Sequence, residues 1–156
     1  MFSLIPKKVT DAAYFASIPL QLDSVVAIKD ELADFLKKED INSAEITFSM
    51  NVTGEIMDNI LKKLMAENKK NRFFDINVRI KNDRIIVILK DDGTRLDRDN
   101  EEEIISRLNQ EMQKLQPGGE VSSRDSDDFS ANYFYMNEQN TFTLTFGGSA
   151  LRQTTS

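Results

Sequence analysis

The chain has 156 residues, with 26 acidic and 20 basic side chains that give a formal net charge of −6. This length is enough for one domain with a sizeable core, and the negative charge argues against nucleic acid as a partner because phosphates would be repelled. Cysteine and histidine are both absent, which excludes disulfides, a thiol nucleophile, a histidine base and the usual zinc ligand. With no signal peptide and no apolar run of membrane-spanning length, we expect a cytoplasmic protein without a membrane partner.

The first half of the chain predicts a strand followed by two helices. Residues 14–22 contain aromatic and branched side chains interrupted by a proline, which is typical of an edge strand. Asp23 is expected to cap the first helix. Asn42, with Glu45 three residues later, forms a capping-box pattern that opens the second helix. The second helix has its apolar residues at helical spacing: Ile46, Met50, Met57, Ile60 and Leu64.

The second half predicts a hairpin, a third helix and another hairpin. Residues 74–80 alternate between apolar and polar, and residues 85–89 are an unbroken apolar run typical of an interior strand. Asn100 and Glu103 form a second capping-box pattern at the start of the third helix. Two last strands are predicted over 129–136 and 141–146, joined across 137–140.

These elements combine most simply as an α+β, two-layer sandwich, with the helices on one face of a mainly antiparallel sheet. Parallel βαβ winding is less favoured because short turns separate most of the paired strands. We expect a single domain over residues 1–146 and a flexible tail over 147–156, which has little to bury.

Two short stretches carry residues suited to chemistry. In GEIMDNILKK (54–63), Glu55 and Asn59 project from one face of the helix, and Lys62 and Lys63 extend that face by a turn. In VILKDDGTRLD (87–97), the strand ends in Asp-Asp-Gly. Without further context, the first pattern is more typical of a solvated helix face than of a site, and the second is more typical of an ordinary turn.

The order of the two stretches resembles the GHKL ATPase and kinase superfamily. GEIMDNILKK is similar to its N box, and VILKDDGTRLD is similar to its first glycine box, with Asp-Asp-Gly most similar to anti-sigma-factor serine kinases. The resemblance implies a GHKL fold that binds ATP with Mg²⁺. It implies that Glu55 is the base for an attacking hydroxyl, that Asn59 binds the Mg²⁺, and that Lys62 or Lys63 contacts phosphate oxygens.

The same resemblance implies an adenine site at the first glycine box. Asp91 would accept a hydrogen bond from the adenine amino group, Gly93 would let the base approach, and Thr141 would stand for a late threonine near the adenine. The chain departs from the family pattern at the second glycine box, for which residues 117–119 (Pro-Gly-Gly) are the only candidates. Those residues more simply end the preceding helix.

Three functions therefore stay open. The first is a regulatory serine/threonine kinase, a homodimer by resemblance, whose protein partner is sigma-factor-like or anti-sigma-antagonist-like. The second is a pseudokinase that keeps the fold as an interaction module and no longer binds ATP. The third is an unrelated α+β interaction domain in which the motif resemblance is accidental.

Overall fold

Three helices and five strands make up the part of the chain that the computed structural model describes, which is residues 12–21, 23–67, 73–81, 84–114 and 129–147. In chain order they are β1 (Ala12–Pro19), α1 (Ser24–Lys38), α2 (Ser43–Ala66), β2 (Phe73–Lys81), β3 (Arg84–Asp91), α3 (Arg98–Lys114), β4 (Phe129–Met136) and β5 (Gln139–Gly147). The predicted order of elements is confirmed, although the first strand starts and ends earlier than expected. The glycine-box candidates 117–119 and the tail beyond residue 147 lie outside the described residues.

The strands form one open sheet in the order β1-β2-β3-β5-β4, and every neighbouring pair is antiparallel. The apolar run of β3 therefore lies at the centre of the sheet, as predicted for an interior strand. The β3–β5 register places Asp91 opposite Asn140 and Lys90 opposite Thr141. Because paired residues share a face and successive residues alternate between faces, this register decides which side chains meet at the end of β3.

The two faces of the sheet differ in what covers them. On one face, which we call the inner face, the helices pack against buried apolar side chains of the central strands: Phe74, Ile76, Val78, Ile80, Ile85, Val87, Leu89, Phe142, Leu144 and Phe146. The alternate residues form the outer face, where Phe15 is 63% exposed and Phe134 is 44% exposed. This arrangement confirms the α+β fold class and the two-layer prediction.

The predicted helix starts are correct for α1 and α2 and wrong for α3. Asn42 caps α2, because its side chain accepts a hydrogen bond from the Glu45 N–H at 2.9 Å. Asp23 lies at the N-cap of α1 but makes no capping hydrogen bond with its side chain. At α3 the cap is Asp97 rather than Asn100, since the Asp97 carboxylate accepts from the Asn100 N–H at 2.8 Å.

The second helix runs unbroken through Gly54, and its predicted apolar stripe is buried. Glycine is unfavourable in mid-helix by about 1 kcal/mol relative to alanine, so its presence calls for a local reason. A Cβ at Gly54 would lie 3.2 Å from Lys29 Nζ of α1. The glycine therefore leaves room for the Lys29 side chain of α1, and it does not break the helix.

A two-residue turn joins β4 and β5. Both of its residues, Asn137 and Glu138, have positive φ angles of 54° and 62°, which is the backbone of a tight hairpin turn that follows the twist of the strands. Because this turn is shorter than the predicted span 137–140, β5 begins at Gln139. The shorter turn brings Asn140 into the ladder opposite Asp91.

Candidate functional site

Four polar side chains form a row along α2 at intervals of four residues: Glu55, Asn59, Lys63 and Glu67. All four are half-buried, so the row runs along the edge of the packed surface instead of facing either the core or open water. The last two reach the segment that follows β3. Neither Glu55 nor Asn59 makes a hydrogen bond or ion pair with another described residue.

Asp91 is the centre of a hydrogen-bond cluster at the end of β3. Its side chain is completely buried, and Oδ1 lies 3.2 Å from Nζ of Lys63, whose own side chain is 21% exposed. The same Oδ1 accepts hydrogen bonds from the Gly93 N–H and from Asn140 Nδ2, each at 2.9 Å. A buried carboxylate requires compensating charge and donors, and here α2, the following turn and β5 each supply one.

The second oxygen of Asp91 is different. Oδ2 is buried and has no hydrogen-bond partner among the described residues. An unsatisfied buried acceptor costs about 1–3 kcal/mol, more if it carries charge. The carboxylate is thus held firmly through Oδ1 and presents one unpartnered acceptor atom.

The segment from Asp92 to Leu96 is fixed by side chains from three elements. Asn140 Nδ2 also lies 3.1 Å from the Gly93 carbonyl and 3.2 Å from that of Thr94. The Thr94 N–H donates to Glu67 at 3.1 Å. The cluster therefore joins the C-terminal end of the α2 row to the loop and to β5.

Tyr133 of β4 completes the cluster from the other side. Its hydroxyl donates to Asn140 Oδ1 and accepts from the Leu96 N–H at 3.0 Å. Burial is the main cause that raises the pKa of Tyr133 above its usual value, and the nearby Asp91 carboxylate adds to the effect. The phenol is thus a neutral donor that orients the Asn140 amide towards Asp91.

Gly93 allows the loop to pack closely on α2. A Cβ at this position would lie 2.6 Å from Leu64 Cδ2, which is closer than real side chains tolerate. The resemblance assigns Gly93 to the approach of an adenine base. In the structure, the direction in which a side chain would project from Gly93 faces Leu64.

The remaining site residues named from the sequence lie in different places. Thr141 pairs with Lys90 and points to the outer face, so it does not share the face of Asp91. Lys62 is exposed on α2. The cluster residues that the sequence reasoning missed are Asn140, Tyr133 and Glu67. Of these, only Glu67 had a visible signal, because it continues the four-residue spacing of the row.

Among the described residues, no group of three or more carboxylates is placed to hold a metal ion. No helix within the described ranges has both the length and the apolar character needed to cross a bilayer.

Comparison with known proteins gives a likeness of fold. No protein-family model matches the chain, and no curated protein matches it. Among solved structures, a chain in the crystal structure of the SiaB–SiaC complex from Pseudomonas aeruginosa matches with a TM-score of 0.53 and 12% sequence identity, over 89% of this chain and 91% of that chain. The architecture described above is therefore also found in a chain of that complex.

Proposed function

We propose that this chain is a regulatory protein of GHKL-like fold that binds ATP with Mg²⁺ beside the Asp91 cluster and acts through contacts with another protein. The observation that carries the nucleotide part is Asp91 Oδ2, a buried carboxylate oxygen to which no group of the described chain donates a hydrogen bond. The exocyclic amino group of adenine is a donor of the kind that such an oxygen lacks. The fixed Oδ1 contacts keep the carboxylate in one orientation for that role.

The other end of the row supplies the groups for the phosphates and the metal. Glu55 and Asn59 offer two oxygen ligands one helical turn apart, and neither side chain makes a hydrogen bond or ion pair with another described residue. Mg²⁺ commonly takes one or two protein oxygens and completes its shell with phosphate oxygens and water. The residues present fit that mode, with Asn59 as the ligand, Glu55 as the base for an attacking hydroxyl, and the exposed Lys62 near the phosphates.

The protein-contact part of the proposal draws on the likeness to a chain from a complex of two proteins. Combined with the similarity of Asp-Asp-Gly to anti-sigma-factor kinases, it favours a partner that is sigma-factor-like or antagonist-like. The proposal includes phosphoryl transfer to a serine or threonine of that partner, and it includes a homodimeric state of this chain.

A second candidate function is the non-catalytic module of the same fold. Two observations favour it. Lys63 is engaged with Asp91 and the Thr94 carbonyl, so its ammonium is not available to phosphates in this conformation. The direction in which a side chain would project from Gly93 is occupied by Leu64, so it offers no open space for an adenine base. In this case the Asp91 cluster is a structural feature, and the chain acts only by binding another protein.

A thermal-shift series with ATP, ADP and Mg²⁺ distinguishes the two candidates. A ligand that binds only the native state stabilises it by about 2.7 kcal/mol at a concentration of 100 times Kd. We expect Mg²⁺-ATP to raise the Tm of the wild type and of the control Asp58→Ala, an exposed carboxylate on the same helix, but not that of Asn59→Ala. An unchanged wild-type Tm at millimolar ATP would exclude the nucleotide proposal in favour of the module.

A further inference from the structure

We propose that the outer face of the sheet is a docking surface for a protein segment that combines apolar side chains with carboxylates. The proposal rests on the protein-contact part of the proposed function, and it names the surface and the chemistry of the partner. It does not require nucleotide binding, because the Asp91 cluster lies on the inner face.

Exposed apolar side chains are concentrated on this face. Among the described residues, six large apolar side chains are exposed, and four of them belong to outward-facing strand positions: Phe15, Phe73, Phe134 and Met136. Between them, Ile86 and Ile88 of the central strand are only half-buried. Grouped apolar exposure of this kind marks interaction surfaces more often than isolated exposed residues do.

The charges on the outer face have the opposite sign to the chain as a whole. Outward-facing strand positions carry four cations (Arg79, Lys81, Arg84 and Lys90) and one carboxylate (Asp75), although the whole chain is −6. Asp75 accepts a hydrogen bond from Ser17 at 2.6 Å. None of the four cations forms an ion pair with a described residue.

Three of the four outer-face cations lie together, which adds to the specificity of the surface for a partner with grouped carboxylates. Arg79, Lys81 and Arg84 gather at the end of the sheet where β2 turns into β3, because Lys81 pairs with Arg84. A hollow of about 220 Å³ lies at this end, lined by Arg79 and Lys81 together with Ala12, Ala13 and Ile80. A partner that places carboxylates at this end and apolar side chains along the rest of the face is complementary in both respects.

A second copy of this chain fits the surface less well. A symmetric pairing of two outer faces would place four cations and one carboxylate from each copy in one interface, a net charge of +6 that opposes the pairing. The three helices of a second copy carry a net charge of −3, from 11 carboxylates and 8 cations. A contact between the outer face and these helices is head-to-tail, however, and does not close into a dimer. Charge complementarity therefore favours a different protein with an acidic surface.

Single-stranded nucleic acid is also less well matched. Stacking of successive bases requires aromatic rings close together. Phe15 lies on β1 and Phe134 on β4, at opposite edges of the sheet. Four strand spacings separate the two rings, roughly 19 Å. The centre of the face holds Ile86 and Ile88, which suit a protein side chain better than a base.

Three designed peptides test the proposal on the full chain. The first is a helical peptide with leucine at i, i+3 and i+4 spacing and glutamate elsewhere; the second replaces glutamate by lysine, and the third replaces leucine by serine. At an ionic strength of about 0.15 M, we expect only the first to bind in a fluorescence anisotropy titration. Its binding should shift backbone amide resonances of β2 and β3 outer-face residues in an NMR titration.

Charge reversal supplies the matched variants. We expect Arg79→Glu combined with Lys81→Glu to weaken binding of the first peptide by about tenfold or more. Lys37→Glu combined with Lys38→Glu makes the same charge change at exposed positions of α1 and should alter the affinity by less than about twofold. Equal binding of the lysine or serine peptides, or shifts confined to the helices, would overturn the proposal.

Two further outcomes assign the surface to another occupant and also overturn the proposal. One is tighter binding of a thymidine oligonucleotide than of the first peptide. The other is an outer face that is already covered in the free protein. Two results would show this: dissociation of a dimer by Phe15→Asp in sedimentation equilibrium, or protection of the outer-face amides from hydrogen exchange in the absence of peptide. Repeating the titration in the absence of ATP separates this surface from the nucleotide site, since docking is expected to be unchanged there.

Discussion

The two ends of the polar row on α2 contrast sharply, although they share spacing, residue types and half-buried positions. At the C-terminal end, Lys63 and Glu67 bind the segment after β3 through the Asp91 carboxylate and the Thr94 backbone. At the N-terminal end, Glu55 and Asn59 contact no polar group of another described residue. The contrast teaches that spacing along a helix determines which residues share a face. The loop opposite that face determines which of these residues make structural contacts and which stay available for a ligand.

This contrast predicts that substitutions lower the free energy of unfolding most at the Asp91 end of the row and least at the Glu55 end. Asp91→Ala should have the largest effect. Removing the carboxylate leaves Lys63, the Gly93 N–H and Asn140 without their shared acceptor, so we expect the free energy of unfolding to fall by about 2–3 kcal/mol. Urea denaturation measures the change.

The control for that experiment is Asp58→Ala, which removes an exposed carboxylate from the same helix and should change stability by less than about 0.5 kcal/mol. Equal stabilities of the two variants would mean that the cluster does not hold the β3 end to α2. The contrast between the two ends of the row would then fail.

Gly93→Ala should have the next largest effect. Its new Cβ would overlap Leu64 Cδ2, and overpacking of a buried contact costs about 1–3 kcal/mol. Leu64→Ala removes the obstructing methyl groups, so in a double-mutant cycle the two substitutions together should cost less than the sum of their separate costs. Additive costs would show that the loop does not press on α2 at this point.

Gly54→Ala is the matched variant. Gly54 lies in the N-terminal half of α2, whereas Gly93 packs against Leu64 in the C-terminal half. At Gly54 the added methyl group meets only the flexible Lys29 side chain, at 3.2–3.3 Å. Because alanine is the better helix former by about 1 kcal/mol, we expect this variant to be as stable as the wild type or more so. A loss of stability at Gly54 similar to that at Gly93 would remove the distinction between the two positions.

Tyr133→Phe should have a smaller effect that depends on pH. At neutral pH, loss of the hydroxyl removes the hydrogen bonds to Asn140 and Leu96, which should cost about 1 kcal/mol. Burial raises the pKa of Tyr133 in the folded state, so its contribution is complete below about pH 10 and is lost as the pH rises through the raised folded value. The stability of the wild type should therefore fall more steeply than that of the variant above this pH.

Parallel urea titrations of the wild type and Tyr133→Phe over this pH range provide the measurement. The difference between them isolates Tyr133 from the lysines and the other tyrosines, which titrate in both proteins. A difference that stays constant with pH would contradict the neutral-donor role of the phenol.

Glu55→Gln and Asn59→Ala should have the smallest effect on stability, within about 0.5 kcal/mol of the wild type by urea denaturation. Neither side chain has a hydrogen-bond partner to lose among the described residues. Under the proposed function, Asn59→Ala should at the same time abolish the ATP-dependent Tm shift. A stability loss above about 1 kcal/mol would place these residues with the structural end of the row.

The sequence predicted the features that depend on neighbouring residues. The Asn42 cap, the apolar stripe of α2 and the alternation of β2 all arise from contacts within a few positions, so periodicity and cap chemistry are sufficient to find them. The cap of α3 was predicted at the wrong residue because Asp97 and Asn100 lie within one turn of each other. Only the path of the incoming chain decides which of the two becomes the cap.

The site was less predictable because it depends on register. The fold brings Lys63 and Asp91 together, but the partner of Asp91 on β5 is fixed by the register between β3 and β5. Asn140 can take part in that register because the β4–β5 turn has only two residues and leaves it within β5. Glutamate is an unusual residue for a turn position with positive φ, so Asn137 and Glu138 did not signal a two-residue connection. An error of one residue moves a side chain to the opposite face, which is the difference between Thr141 and Asn140.

The position of β1 at the edge of the sheet has a consequence for how the protein folds. The strands β2 and β3, like β4 and β5, are close in the chain, so each hairpin closes at a small cost in chain entropy. Among the described strands, β1 pairs with β2 alone, and two helices separate these strands in the sequence. The β1–β2 and β3–β5 pairings are the contacts of long sequence separation that slow folding. Because β1 lies at the edge, its amides should open before those of the central strands in native-state hydrogen exchange.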